Sequence, residues 1–591
     1  MMRTWHRQVA PIALLLVGID VWSTVGHGEL GSYGLLKGLG GILAFCLIWP
    51  LSNRIAAISL RVDSWLSRRR CAAAICVAAI VAAHLLAQGH RFRAKLHPVF
   101  HDESVYMIEA RMLAHGRMWM APYPASVRDF FDSFYLIVDR VYAGMYPPGT
   151  AIMLLPGIWL GTAGWIMPAL TGAAASAFFY LVLEEMFRPV RAMVGVLLLV
   201  SLNLYLSMSL MTLSEAPLLL AELVCIWAWM RWRKSRKAGW LLPLGAAAGY
   251  GAVTRPVETL CIAAAIAVAI AWELRRQPAK LLKVAGTIAI AASPFLAIQL
   301  AQNVGVTGKW NQTPLGYYTE HNYPSPILSF RHVGPADLPH TNCLPKQVAI
   351  EQWIFPAYEK HGRLSWWEIW YPDRIEEVIH QTLPHILLVV FLPLALLSLR
   401  EIRRAAIVGA MLLFFAVYTA DAIFLKHYLL AIAPAMICLV LMGWESLERP
   451  FPRARGVIFT FMLLATGAMG TCALPEFNPL ATPLGTAPIE ARSIDRALEN
   501  LPRRPSLVMF RYDPKVNSYH CEPVYNTGVA WPDDALIVRA RDLGENENIR
   551  LYRYYAQCHQ DRQVYLYDRA AGGNGRNPLT RLGTTRQLSD Q

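Results

Sequence analysis

Blocks of about 15 to 24 apolar residues, separated by short segments rich in Arg and Lys, recur along most of this chain. A helix rising 1.5 Å per residue needs about that length to cross a hydrocarbon layer about 30 Å thick. Inside such a layer the backbone must satisfy its own hydrogen bonds, so the blocks specify membrane helices. Composition agrees: of 591 residues, 55% are hydrophobic and 16% charged, against the roughly 25% charged that is usual in soluble domains. Ten cysteines, most of them within apolar blocks, are too sparse for a disulfide-dense secreted scaffold. The chain reads as an all-α polytopic membrane protein.

Thirteen spans are expected, near 9–25, 34–53, 71–88, 165–183, 192–208, 213–230, 239–252, 257–272, 284–300, 384–399, 405–421, 427–444 and 456–473. With a cytoplasmic N-terminus, the inner segments hold 24 Lys and Arg in 70 positions, while the short outer turns hold only Arg255 and Lys426. That asymmetry orients the bundle by the positive-inside rule and accounts for most of the net charge of +14. Nucleic acid is therefore not an expected partner; membrane lipids are. Asp20 interrupts the first span, and a signal peptide is the alternative reading there.

An odd number of spans leaves three long polar segments outside: 89–164, 301–383 and 474–591. Long loops are where function concentrates, and the first is dense in ionisable and aromatic residues. Its apolar run 150–160 is too short to span and reads as an interfacial or re-entrant helix. The tail 474–591 reads as a small α/β domain, with a helix at 488–500, β-rich runs at 506–510, 535–539 and 563–567, and helical character at 549–556. An outside location permits a disulfide between Cys521 and Cys558; two free buried thiols are the alternative.

His101-Asp102-Glu103 follows the third span closely. Adjacent carboxylates repel, which raises one of them toward proton acceptance near neutral pH; helix N-capping by Asp102 is the structural alternative. His97 and His101 beside two acids also permit a divalent metal, though the spacing is not distinctive. Arg255-Pro256 at a tight outer turn and Lys426-His427 at the start of a span can hold an anionic head group, or simply snorkel. Glu215 begins a span on the same side, as a solvated helix start or as a second wall of the site. Trp353, Trp366, Trp367 and Trp370 read as an interfacial belt or as a sugar-stacking platform. Phosphate loops, His-Glu-x-x-His helices and nucleophile elbows are missing from the sequence, which argues against ATP-driven transport and zinc proteolysis.

Taken in order, His101-Asp102-Glu103, Ala110 to Arg117, Phe131-Asp132-Ser133-Phe134, Tyr146-Pro147-Pro148-Gly149, Ser214 to Pro217, Thr254-Arg255-Pro256, Asn303 to Gly308 and Lys426 to Leu430 resemble the GT-C membrane glycosyltransferases. The nearest branch is that of protein mannosyltransferases and lipid A aminoarabinose transferases. The resemblance covers about residues 70 to 445. It implies a GT-C-like catalytic domain at 71–473; the helix pair within 1–70 lies outside the resemblance, as does the extracytoplasmic domain at 474–591, which reads as an accessory. It also implies sugar transfer from a polyprenyl phosphate to a lipid, glycan or protein acceptor outside a bacterial inner membrane. Carried over, Asp102 is the general base and Glu103 its neighbour; Arg255, Lys426 and His427 contact the donor phosphate; Glu215, Tyr146 and His101 line the substrate pocket. No cofactor is expected. The Lys426-His427 pair stands where the family usually has Arg-Tyr. A transporter or flippase of lipid-linked sugars and a non-catalytic assembly or sensor protein are the alternatives.

Overall fold

The computed structural model describes residues 52–92, 100–451, 487–558, 560–572 and 577–590, with isolated positions between 455 and 462. The span expected at 9–25, nearly all of those at 34–53 and 456–473, and His97 lie outside the described residues. Among the described residues four helices are long and apolar enough to cross a membrane: Arg70–Arg91, Ile166–Glu184, Pro256–Leu274 and Pro278–Thr307. Counted as one broken span, the pair Trp366–Thr382 and Ile386–Ser398, bent by 105°, would be a fifth.

Among the described residues several of the expected spans are not continuous helices, and the reason is local. Block 192–208 divides into Pro189–Val200 and Asn203–Met208, block 239–252 yields the short helix Leu241–Ala252, and block 384–399 breaks into turns around Pro393. Apolar length decides what dissolves in lipid, whereas helix continuity also depends on the backbone, which proline and packing interrupt. Small residues supply part of that packing. A Cβ on Gly249 would lie 2.8 Å from the Cα of Ala292, so the Leu241–Ala252 and Pro278–Thr307 helices pack this closely only with glycine there.

The helix Glu215–Ser235 carries acids near its start and Arg231, Arg233 and Lys234 at its end. At that basic end the helices are laced by ion pairs: Arg70 with Glu184 and Glu185, Arg231 with Glu185, Arg191 with Glu448, and Arg404 with Glu445. The opposite end, about 30 Å away at 1.5 Å per residue, meets the first long loop. That loop contains the helix His101–Ala114, a two-stranded hairpin of β1 (Leu136–Ile137) and β2 (Ala143–Gly144), and the eleven-residue helix Gly149–Trp159.

The C-terminal region holds a four-stranded sheet in the order β4-β3-β5-β6, made of β3 (Ser506–Arg511), β4 (Ile537–Arg541), β5 (Gln563–Asp568) and β6 (Leu579–Thr584). The first three are parallel and β6 is an antiparallel edge. One face, with Leu507, Met509, Val538, Ala540 and Val564, joins the helix Glu545–Cys558 and first-loop residues Val105, Ile108, Tyr123, Phe130 and Phe131 in a single core. Side chains alternate across a strand, so Val508, Phe510, Tyr565 and Tyr567 face the other way, onto Ile494, Leu498 and Cys521. Cys521 is a buried free thiol. It packs on the sheet face opposite to the one that joins the helix Glu545–Cys558, and the side chain of Cys558, its expected partner, lies outside the described residues.

Candidate active site

Three consecutive residues at the start of the helix His101–Ala114 are held by three different parts of the chain. The residue before the helix, Phe100, makes no side-chain cap, and Asp102 already lies within the first turn. Asp102 is thus not the N-cap. Its Oδ1 instead accepts a hydrogen bond from the Tyr146 hydroxyl. Burial pushes the Asp102 carboxyl above the usual aspartate range, while the Tyr146 bond and the His427 charge pull the other way. Glu103 is fully buried and turned elsewhere, accepting from the Thr212 N–H at 3.1 Å and the Thr212 hydroxyl at 3.3 Å. Glu103 therefore ties the helix to the turn that precedes Glu215.

His101 faces Phe134 and the C-terminal region. Its ring stacks on Phe134 with centroids 4.0 Å apart, and Nδ1 lies 3.3 Å from the hydroxyl of Tyr525 in the C-terminal region. Burial lowers the imidazole to about 4, which keeps it neutral.

Tyr146 is positioned from both its backbone and its ring. Its N–H donates to Glu109 Oε1 at 3.1 Å, and its ring stacks on Tyr106 at 4.4 Å and meets the edge of Tyr135 at 5.8 Å. Burial raises the Glu109 carboxyl well above its usual range, so a neutral acid stands beneath the Tyr146 backbone. Tyr135 adopts φ +62°, a left-handed conformation uncommon outside glycine and clustered at functional sites. The turn after Tyr146 reaches the Thr254-Arg255-Pro256 turn directly. The Gly149 N–H donates to the Val253 carbonyl at 2.6 Å, and the Tyr250 hydroxyl donates to the Gly149 carbonyl at 3.0 Å. A Cβ on Gly149 would fall 2.6 Å from the Val253 carbonyl oxygen and 2.8 Å from the Thr254 Cα, so this close approach requires glycine.

Arg255 sits between two acids. Its Nη1 donates to Glu215 at 2.7 Å and to Ser214 at 3.2 Å, its Nε donates to Glu258 at 2.5 Å, and its guanidinium lies 4.3 Å over the Tyr428 ring. Nη2 takes part in none of these bonds. Tyr418 donates to Glu258 at 2.6 Å, and His427 Nε2 lies 3.5 Å from Glu215. Asp102, Tyr146, Glu215, Arg255 and His427 thus belong to one partly buried cluster at one end of the helices. Lys426 is exposed and stands apart from these bonds.

Several members were not singled out from sequence. Glu258 follows Arg255 by three residues on a helix, a spacing that could have flagged the pair. Tyr428 lay inside a quoted motif, whereas Tyr135, Tyr418 and Tyr525 carried no local signal. Of the tryptophans, Trp366 and Trp367 are exposed, while Trp370 is buried and donates to Thr419 at 2.8 Å. Among the described residues no group of three or more His, Cys, Asp or Glu is placed to hold a metal ion. The sequence also gave no warning of Glu222, two turns into the Glu215–Ser235 helix. It lines a small, mostly apolar cavity with Phe179, Leu223 and Phe414, with neither carboxyl oxygen hydrogen-bonded.

Fold and site together define a multi-pass membrane protein with an acid–cation cluster gathered at one end of its helices. Residues 150–298 match the family model of dolichyl-phosphate-mannose-protein mannosyltransferase, a GT-C glycosyltransferase family, so the resemblance read from the motifs holds. The match takes in Glu215 and Arg255 and leaves Asp102 and His427 outside it. No curated protein matches the sequence. Among solved structures, ArnT from Cupriavidus metallidurans in the apo state is similar at 14% identity and a TM-score of 0.48, over 85% of this chain and 93% of that one. The same protein bound to undecaprenyl phosphate gives 13% and 0.46, over 84% and 93%. The oligosaccharyltransferase of Archaeoglobus fulgidus tethered to an acceptor peptide gives 11% and 0.47, over 81% of this chain and 65% of that one.

Proposed function

We propose that this protein transfers a sugar from a polyprenyl-phosphate donor to an acceptor hydroxyl or amine on the extracytoplasmic side of a bacterial inner membrane. The observation that carries the reading is the placement of Asp102, whose carboxyl burial raises above the usual aspartate range, in one cluster with the Arg255 guanidinium and the His427 imidazole. In this reading Asp102 removes the acceptor proton as the acceptor atom attacks the anomeric carbon. The bond from that carbon to the phosphate oxygen breaks, and the polyprenyl phosphate departs with the electron pair. Arg255, through its remaining Nη2 edge, and His427 meet the growing phosphate charge. A single displacement inverts the anomeric centre. Tyr146 holds Asp102, Glu215 holds Arg255 and lies beside His427, and Glu103 anchors the helix. The helix pair within 1–70 serves as an anchor, 71–473 carries the chemistry, and 474–591 covers the site.

The test is a transfer assay on purified protein in lipid nanodiscs with labelled polyprenyl-phosphate sugars. A folded Asp102→Asn variant is expected to lose about 10²–10⁴ in rate, the usual contribution of a general base. An unchanged rate would overturn the assignment.

One observation favours transport of lipid-linked sugars instead. Glu222, buried within the bundle and facing a cavity, is the kind of intramembrane acid that marks substrate and ion paths. Lipid scrambling in liposomes without any transfer product would establish that alternative.

A further inference from the structure

Among the contacts between the C-terminal region and the catalytic helix, one hydroxyl meets its first residue. Tyr525, 5% exposed, donates to the carbonyl of Phe134 at 2.8 Å and lies 3.3 Å from His101 Nδ1. Both contacts lead to Asp102. His101 immediately precedes it on a helix start that has no capping side chain. Phe134 stacks on His101 and immediately precedes the left-handed Tyr135, whose ring packs on Tyr146, the residue that donates to Asp102.

Tyr525 is itself anchored to the sheet. The side chain of Asn526 pairs with the backbone of Arg539 in β4, donating at 3.0 Å and accepting at 2.9 Å. Three residues before Tyr525, Glu522 forms an ion pair of 2.7 Å with Arg541, and Arg541 also donates to the Asp132 carbonyl of the first loop at 2.7 Å. With both side chains almost fully buried, this pair is rigid as well as charged. A continuous line of bonds therefore runs from β4 through Tyr525 to the helix that presents the base.

We propose that Tyr525 is a positioning residue for sugar transfer, acting through His101 and Phe134–Tyr135 to set the Asp102 carboxylate against Tyr146. The proposal rests on Asp102 being the base. It makes the C-terminal region a working part of the active site, where the sequence suggested an accessory. Geometry of this kind is steep in its effect, since a misplacement of about 1 Å costs about 10²-fold in rate.

The experiment compares wild type, Tyr525→Phe, Asp102→Asn and a control, Tyr554→Phe, in the same nanodisc transfer assay, with full pH profiles. Tyr554 belongs to the same region but bonds to Asp533 at 2.8 Å. For Tyr525→Phe, kcat is expected to fall about tenfold or more with KM within about twofold. The acid limb of the kcat profile is expected to move to higher pH, because a loosened Tyr146 bond no longer favours the charged carboxylate. The control is expected to keep both. The limb is read on whatever fraction folds, so reduced yield does not mask the outcome. A wild-type kcat and limb in Tyr525→Phe, or a loss of activity that only tracks lower thermal stability with the limb unmoved, overturns the positioning role while a dead Asp102→Asn leaves the base in place. Full activity in Asp102→Asn removes the base and the positioning role together.

Discussion

Replacing Arg255 by methionine separates two jobs, the buried ion pair and the proposed phosphate contact, that fall to one side chain. Arg255 neutralises Glu215 and Glu258, whose side chains are each only 3% exposed. Removing one partner of a buried ion pair typically costs about 3–5 kcal/mol, because the remaining charge is left buried and unpaired. The guanidinium is 15% exposed, and its loss strands two acids while Tyr418 still donates to one of them, so about 3 kcal/mol is the expected destabilisation. That is roughly a hundredfold in the unfolding equilibrium. Adding Glu215→Gln and Glu258→Gln removes the stranded charges and is expected to recover most of that stability, since polar or apolar replacement of a whole buried ion pair is often close to neutral. Activity is expected to stay low, by about 10²–10³, because the guanidinium that meets the departing phosphate is gone. Thermal unfolding in detergent reads the first effect and the transfer assay reads the second. A single Arg255→Met change that shifts stability by less than about 1 kcal/mol would refute the buried-pair reasoning. A triple variant with wild-type turnover would refute the phosphate contact.

Other consequences are equally direct. Because burial raises Asp102 and a base works only when deprotonated, turnover should fall as pH drops through a value above the roughly 3.9 of an ordinary aspartate; a pH–rate profile flat down to that value would contradict the assignment. Gly149→Ala should destabilise the protein by about 1–3 kcal/mol through overpacking against Val253 and Thr254, read by thermal unfolding. Arg541→Leu should cost about 3–5 kcal/mol by stranding Glu522, seen as faster proteolysis of the C-terminal region. Burial alone would raise Glu522, but Arg541 overrides it and holds the carboxyl below the usual range. The stability from this pair is therefore present above the ordinary glutamate value and is lost as pH falls through the lowered one, whereas in Arg541→Leu that acid-dependent loss should disappear.

What local sequence determines here is solvent preference and short-range backbone habit. Apolar blocks marked the helices Arg70–Arg91 and Ile166–Glu184, and β-branched and aromatic runs marked β3, β4 and β5. Because side-chain chemistry is local, the residues able to perform acid–base and phosphate chemistry, Asp102, Arg255 and His427, were legible as well. Continuity of the spans was not, since breaks such as that between Val200 and Asn203 depend on how neighbours pack. The edge strand β6, largely exposed, lacked the apolar alternation that marks a half-buried strand. Nor could spacing say that Glu103 faces Thr212 while its neighbour Asp102 faces Tyr146, or that Cys521 packs with Ile494 and Leu498 on one sheet face. The contact between Tyr525 and His101 joins residues 424 positions apart. Chain separation of that size leaves no periodicity or motif to read, because such a partner is chosen by the packing of whole elements. Tertiary structure alone therefore decided that the helix carrying Asp102 meets a side chain from the far end of the chain.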